Sequence, residues 1–160
     1  IEAVKEIHKS QSIRLTLIGG DGEEQSLVER EVKQHPDFIE YLGKIYDKQK
    51  LMEIVRNCDC FAMVSHGETF GLVYAECLSQ GLPIIYTLRT GFDGMYPQGK
   101  VGYGVDSHSV DSIKDGLLNV IEHYGELRSN ISLVDFKRFS WSEIAKSYNN
   151  IYMSIKGHRI

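Results

Sequence analysis

The chain has 160 residues, 42% of them hydrophobic and 25% charged, with a formal net charge of −4. A chain of this length can bury roughly 70% of the surface its unfolded form exposes, which suffices for one domain. The apolar content excludes disorder, the scattered Lys and Arg form no basic stripe for nucleic acid, and apolar runs of about five residues fall far short of the ~20 that span a bilayer.

Ile1, Val4 and Ile7 have helical spacing from the first residue, so the chain reads as a piece of a longer protein that opens inside a helix. Residues 13–18 (I-R-L-T-L-I) predict a strand ending at Gly19-Gly20. Residues 23–34 predict a helix closed by His35-Pro36, with Asp21 as its candidate cap. Residues 38–42 predict a short strand ending at Gly43, and residues 48–57 a helix carrying Leu51, Ile54 and Val55 on one face. The continuous apolar run 60–64 (C-F-A-M-V) predicts a strand buried on both faces. Residues 71–80 predict a helix stopped by Gly81, with Pro83 just beyond and a strand over 83–87. Residues 88–102 read as loop, and 110–124 and 126–136 as helices. Ser140 and Glu143 form a capping box for a last helix reaching about residue 156, with Phe139, Trp141 and Tyr148 as its anchors. Cys58, Cys60 and Cys77 lie in apolar contexts without C-x-x-C spacing and read as structural thiols.

Alternating strands and helices imply βαβ units, and hence an α/β fold with a doubly wound parallel sheet covered on both faces. Ligands bind such sheets beyond the carboxyl ends of the strands. The glycine-bearing segments 19–22, Gly43 and 67–71 all fall there.

The segment from Ser65 to Ile85 carries the chemistry. A strand runs into the polar loop His66-Gly67-Glu68-Thr69, and a helix begins near Phe70 or Gly71. First-turn amides lack intrahelical acceptors and, with the helix dipole, favour an anion such as phosphate. Glu76 is the only charged side chain between Thr69 and Leu88. Buried without a partner it would cost several kcal/mol, so it either has partners or borders a polar cleft. A carboxylate at that place can accept from the vicinal diol of a ribose, and Glu68, facing the same anion site, from a second set of hydroxyls. Two carboxylates flanking a phosphate cradle suggest a nucleotide-sugar.

The stretch resembles the E-x7-E motif of retaining GT-B glycosyltransferases of the family 4 type. Glu68 and Glu76 have its spacing, with F-G-L after the first and G-L-P-I-I after the second. L-I-G-G-D-G-E-E, F-I-E-Y-L-G and C-D-C-F-A-M-V-S look like three further segments of that family. Gly91-Phe92-Asp93-Gly94 resembles a variant found in transferases of surface-polysaccharide synthesis. The resemblance implies a Rossmann-like domain, the C-terminal half of a GT-B fold, as a single unit over residues 1–160. The acceptor domain and the family's diphosphate-binding Arg and Lys would precede Ile1. It implies Glu68 as the catalytic-site carboxylate holding donor-sugar hydroxyls and Glu76 on the ribose. Thr69 and the amides of Phe70, Gly71 and Leu72 would hold the diphosphate or sugar. Gly20 would lie beside the donor, backbone near Lys44 and Ile45 would meet the base, and His66 would reach a phosphate.

The resemblance further implies transfer with retention and without a metal or other cofactor; no D-x-D occurs. The donor would be a nucleoside diphosphate sugar. The acceptor would be a saccharide or lipid-linked glycan, bound by the preceding domain. The setting would be cytoplasmic assembly of bacterial polysaccharide or glycoconjugate, with peripheral association at the inner face of the membrane through that domain. Without those residues the fragment is expected to be inert. Two alternatives remain open: a non-catalytic nucleotide-binding or interaction module of the same fold, and a sugar-nucleotide epimerase or phosphorylase of the same architecture. A dinucleotide fingerprint is absent, since no third glycine follows Gly20-Asp21-Gly22 at the required place.

Overall fold

The computed structural model describes residues 1–20 and 22–156, so the Asp21 cap lies outside the described residues. Strands β1 (Leu15–Leu17) and β2 (Ile39–Tyr41) pair in parallel, with Leu15 opposite Ile39 and Leu17 opposite Tyr41. Strands β3 (Phe61–Ala62), β4 (Ile84–Thr87) and β5 (Gly102–Val105) form a second parallel sheet with β4 in the centre. All the pairings are parallel, with a helix between β1 and β2 and another between β3 and β4, giving the expected α/β, Rossmann-like architecture. The pairing is resolved as two sheets rather than one.

Helix α1 (Glu2–His8) buries Ala3, Val4 and Ile7, the spacing that marked it in the sequence. Lys5 reaches from it to Glu31 of α2 (Gln25–Gln34) at 3.0 Å. The ammonium group holds the buried Glu31 carboxyl below the usual carboxylate range. Helix α3 (Lys48–Arg56) starts at Asp47, whose carboxylate accepts from the amides of Gln49 and Lys50.

Helix α4 (Leu72–Ser79) is too short to persist alone in water. It forms because Tyr74, Cys77 and Leu78 are buried in one cluster with Leu82, Ile84, Tyr86, Phe92, Val101 and Ile131. Each fully buried aliphatic side chain in such a core contributes about 1.5–3 kcal/mol. Helix α5 (Val110–Glu122) spans the molecule: its Leu117 packs against both the Ile85–Val105 cluster and the Val4–Phe38–Ile39 cluster. Helix α6 (Tyr124–Ser132) follows at once, then a 3-10 turn at Phe136–Phe139 and α7 (Trp141–Lys156).

Four sequence expectations are corrected. Run 60–64 is not a strand buried on both faces: β3 is an edge strand, Phe61 is half-buried and Ala62 exposed. β5 lies partly in the segment read as loop. Gly102 is required because a Cβ there would fall on the Ile84 backbone, and one at Gly104 would crowd the side chains of Leu88, Tyr86 and Gln98. The capping box is half-formed. Ser140 Oγ accepts from the Glu143 amide at 3.4 Å, but the Glu143 carboxylate turns to Lys146 at 2.6 Å. Trp141 and Tyr148 do not anchor α7, being 83% and 59% exposed; only Phe139 is seated, 6.2 Å from the ring of Phe70.

Candidate functional site

The segment between β3 and α4 is shaped by its contacts to three neighbouring elements. Gly71 precedes α4 with φ +73°, and a Cβ there would run into the Tyr74 ring. This close approach, as much as access for a ligand, explains the glycine. The Tyr74 hydroxyl donates to the Met63 carbonyl at 2.6 Å, tying the first turn of α4 back to the end of β3. Burial, with the nearby Glu68 charge, pushes that phenol up to about 12. The Thr87 hydroxyl donates to the Ser65 carbonyl at 2.8 Å, and the Gly91 amide to the Glu68 carbonyl at 3.2 Å.

Glu68 is half-buried, and its Oε1 accepts from the Phe70 amide at 3.3 Å and the Thr69 hydroxyl at 3.5 Å. The Phe70 amide, expected to hold the diphosphate or sugar, donates to Glu68 in this structure. The amides of Gly71, Leu72 and Val73 at the helix start have no intrahelical acceptor. The Phe70 side chain packs on Phe92 and Phe139, which fixes the loop from beneath. Glu76 is exposed, and its carboxylate meets no hydrogen-bond or ion-pair partner among the described residues. The sequence left partners or a polar cleft as the alternatives; the carboxylate is exposed, so no burial penalty arises. Leu72, 65% exposed, lies one turn before Glu76 on the same face.

His66 is held from the side. Its Nδ1 lies 3.2 Å from the Ser107 hydroxyl, and its ring stacks on His108 with centroids 4.3 Å apart. Nothing in the sequence pointed to these contacts, because Ser107 lies 41 residues from His66, with His108 next to it. Asp93 accepts from the Arg89 amide at 2.8 Å, across a turn in which Arg89 has φ +62°. That gives Asp93 a backbone-holding role.

Gly20, Lys44 and Ile45 form a second group, at the carboxyl ends of β1 and β2. The Gly19 amide donates to the Gly43 carbonyl at 3.0 Å, and the Tyr41 hydroxyl to the Gly19 carbonyl at 2.9 Å. A Cβ at Gly20 would stand 3.3 Å from Lys44 Cγ, so the lysine stem lies across the glycine turn. Lys44 and Ile45, with Leu42, Tyr46, Asp47 and Lys50, line an open cavity of about 270 Å³. Among the described residues no group of three or more His, Cys, Asp or Glu could hold a metal ion, and no helix is long and apolar enough to cross a membrane.

The chain is similar to a probable sucrose-phosphate synthase of Thermosipho melanesiensis, 27% identical over 135 residues, covering 81% of this chain and 30% of that protein. It is 28% identical to an N-acetyl-alpha-D-glucosaminyl L-malate synthase of Bacillus anthracis, covering 97% of this chain and 41% of that one. It thus spans less than half the length of these relatives. Among solved structures, Anabaena Alr3699/HepE in complex with UDP superposes with a TM-score of 0.76 at 20% identity, covering 96% of this chain and 44% of that one. The C-terminal domain of the Francisella tularensis LpcC protein gives 0.69 at 24% identity, covering 88% and 75%. Residues 1–133 match the model of the glycosyl transferases group 1, and the chain belongs to that family.

Proposed function

We propose that this chain is the donor-binding unit of a two-domain glycosyltransferase that uses a nucleoside diphosphate sugar, retains anomeric configuration and needs no metal ion. The observation that carries the reading is the pair Glu68 and Glu76, bracketing the start of α4 at the carboxyl-end rim of a parallel sheet. Glu76 takes the ribose hydroxyls and Glu68 the hydroxyls of the donor sugar. The Gly71, Leu72 and Val73 amides take the diphosphate, and the cavity at Lys44 and Ile45 takes the base, with Gly20 beside it. His66 borders the phosphate end.

As the anomeric C–O bond breaks, negative charge moves onto the diphosphate. Donors already aimed at that charge are worth on the order of 3 kcal/mol each in comparable oxyanion sites. Names of relatives that make sugar conjugates, and UDP bound in a structural neighbour, support the donor class. The acceptor, a saccharide or lipid-linked glycan in polysaccharide or glycoconjugate assembly, would be bound by a further domain in the cytoplasm or at the membrane's inner face. Retention and metal independence rest on the motif resemblance.

Calorimetry with UDP tests the assignment. The wild-type chain is expected to bind UDP, and Glu76→Ala to weaken binding about tenfold, the loss of charge-assisted hydrogen bonds to a diol. Equal affinity of the two would remove Glu76 from the ribose role.

A further inference from the structure

The Glu68 loop is fastened to its surroundings on both flanks. Two fastenings end on loop carbonyls: Thr87 Oγ1 to Ser65 at 2.8 Å, and the Gly91 amide to Glu68 at 3.2 Å. A third is made wholly by side chains and crosses to the turn after β5. There His66 Nδ1 meets Ser107 Oγ at 3.2 Å, and the two imidazoles stack at 4.3 Å with 12° between their planes. The turn that presents Ser107 and His108 is itself rigidly held. The His108 amide donates to Asp106 Oδ1 at 2.9 Å, the Asp106 amide to Ser112 Oγ at 3.0 Å, and Ser109 Oγ caps α5 on the Ser112 amide at 3.1 Å.

Only Gly67 separates His66 from Glu68, and no neighbour within 4 Å would touch a Cβ there. The glycine gives the backbone no stiffness of its own. The direction in which Glu68 leaves the loop is therefore set by what holds His66 on one side, by Gly91 on the other, and by the Phe70 amide and Thr69 hydroxyl that its own carboxylate accepts. Both histidines are exposed, so their contact buries little apolar surface and adds little to global stability. Its effect falls on loop placement.

We propose that Ser107 and His108 are positioning residues of the donor loop, which hold His66, and through it Glu68, in the arrangement that binds the donor. The inference rests on the reading of this loop as the donor site. His108→Ala removes the stacking partner, while His108→Phe keeps a flat ring and discards the imidazole nitrogens. Two readouts are taken on the whole chain: UDP affinity by calorimetry, and amide hydrogen exchange of Gly67, Glu68 and Thr69 without ligand.

His108→Ala is expected to weaken UDP binding about threefold to tenfold, as one lost ring stack allows. It should also speed exchange in the loop while the melting temperature stays within about a degree of wild type. His108→Phe is expected to restore both readouts. If His108→Ala leaves affinity and exchange unchanged, or His108→Phe fails as His108→Ala does, the positioning role is overturned while the donor reading stands. A wild-type chain that binds neither UDP nor GDP overturns the donor reading and this inference with it.

Discussion

Gly91 is a position at which one added methyl group should do severe damage to the Glu68 loop. Its amide donates to the Glu68 carbonyl at 3.2 Å, and a Cβ would land on the Thr69 carbonyl and within 2.9 Å of Phe70 Cα. All three obstacles are main-chain atoms, so no rotamer change relieves them. Either the 89–94 turn or the 68–71 loop must move. Losing the hydrogen bond costs about 1 kcal/mol and forcing the backbones apart about 1–3, so Gly91→Ala should destabilise by about 2–4 kcal/mol. For a chain of this size that is a fall of roughly 5–15 °C in melting temperature, read by circular dichroism. Gly125→Ala is the matched control. In the first turn of α6 a Cβ meets nothing within 4 Å, and the substitution should raise the melting temperature by about 2 °C. A Gly91→Ala chain that melts within about 2 °C of wild type would refute the close-packing argument.

Other measurements probe the core and the cleft. Burial, aided by the Glu68 and Asp93 charges, pushes the Tyr74 and Tyr86 phenols from 10 up to about 12. The folded state thus favours the neutral phenol. The stability this confers is whole below pH 10 and is lost as pH rises from 10 through 12, about 2–3 kcal/mol for each tyrosine. Denaturant titrations across that range, with phenolate absorbance in parallel, should show the decline; flat stability up to 12 would contradict it. Leu72→Ser should leave the melting temperature nearly unchanged, because the side chain is 65% exposed, yet weaken UDP about threefold if Leu72 walls the site. Unaltered UDP affinity would place that wall elsewhere.

The elements legible in the sequence are those whose burial follows a simple period. α1, α5 and α4 are visible in the sequence from the spacing of Val4 and Ile7, from the helical pattern over 110–124 and from the Gly81 stop. β5 is not, since Gly102 is there for close backbone approach and Gly104 lies among packed side chains, and the local rules treat glycine as loop. The Asp47 cap could have been found from an acidic residue directly before the helix. Within the site, the segment carrying Glu68 and Glu76 was plain from spacing and flanks. The capture of the Phe70 amide by Glu68 was not, because a side chain that folds back on its own loop leaves no sequence pattern. The His66–His108 stack joins residues from two turns and depends on strand order, which no local window contains.

The two sheets share no strand ladder among the described residues, and Leu117 of α5 sits in the apolar clusters of both. The rim bearing Lys44 and the rim bearing Glu68 are thus coupled by side-chain packing around one helix, a softer joint than a continuous hydrogen-bonded plate. A long ligand resting on both rims would act as a cross-brace between two slabs. Its arrival would stiffen the whole molecule, and the mechanical weak point of the empty form would be the greasy seam around Leu117 rather than any loop at the surface.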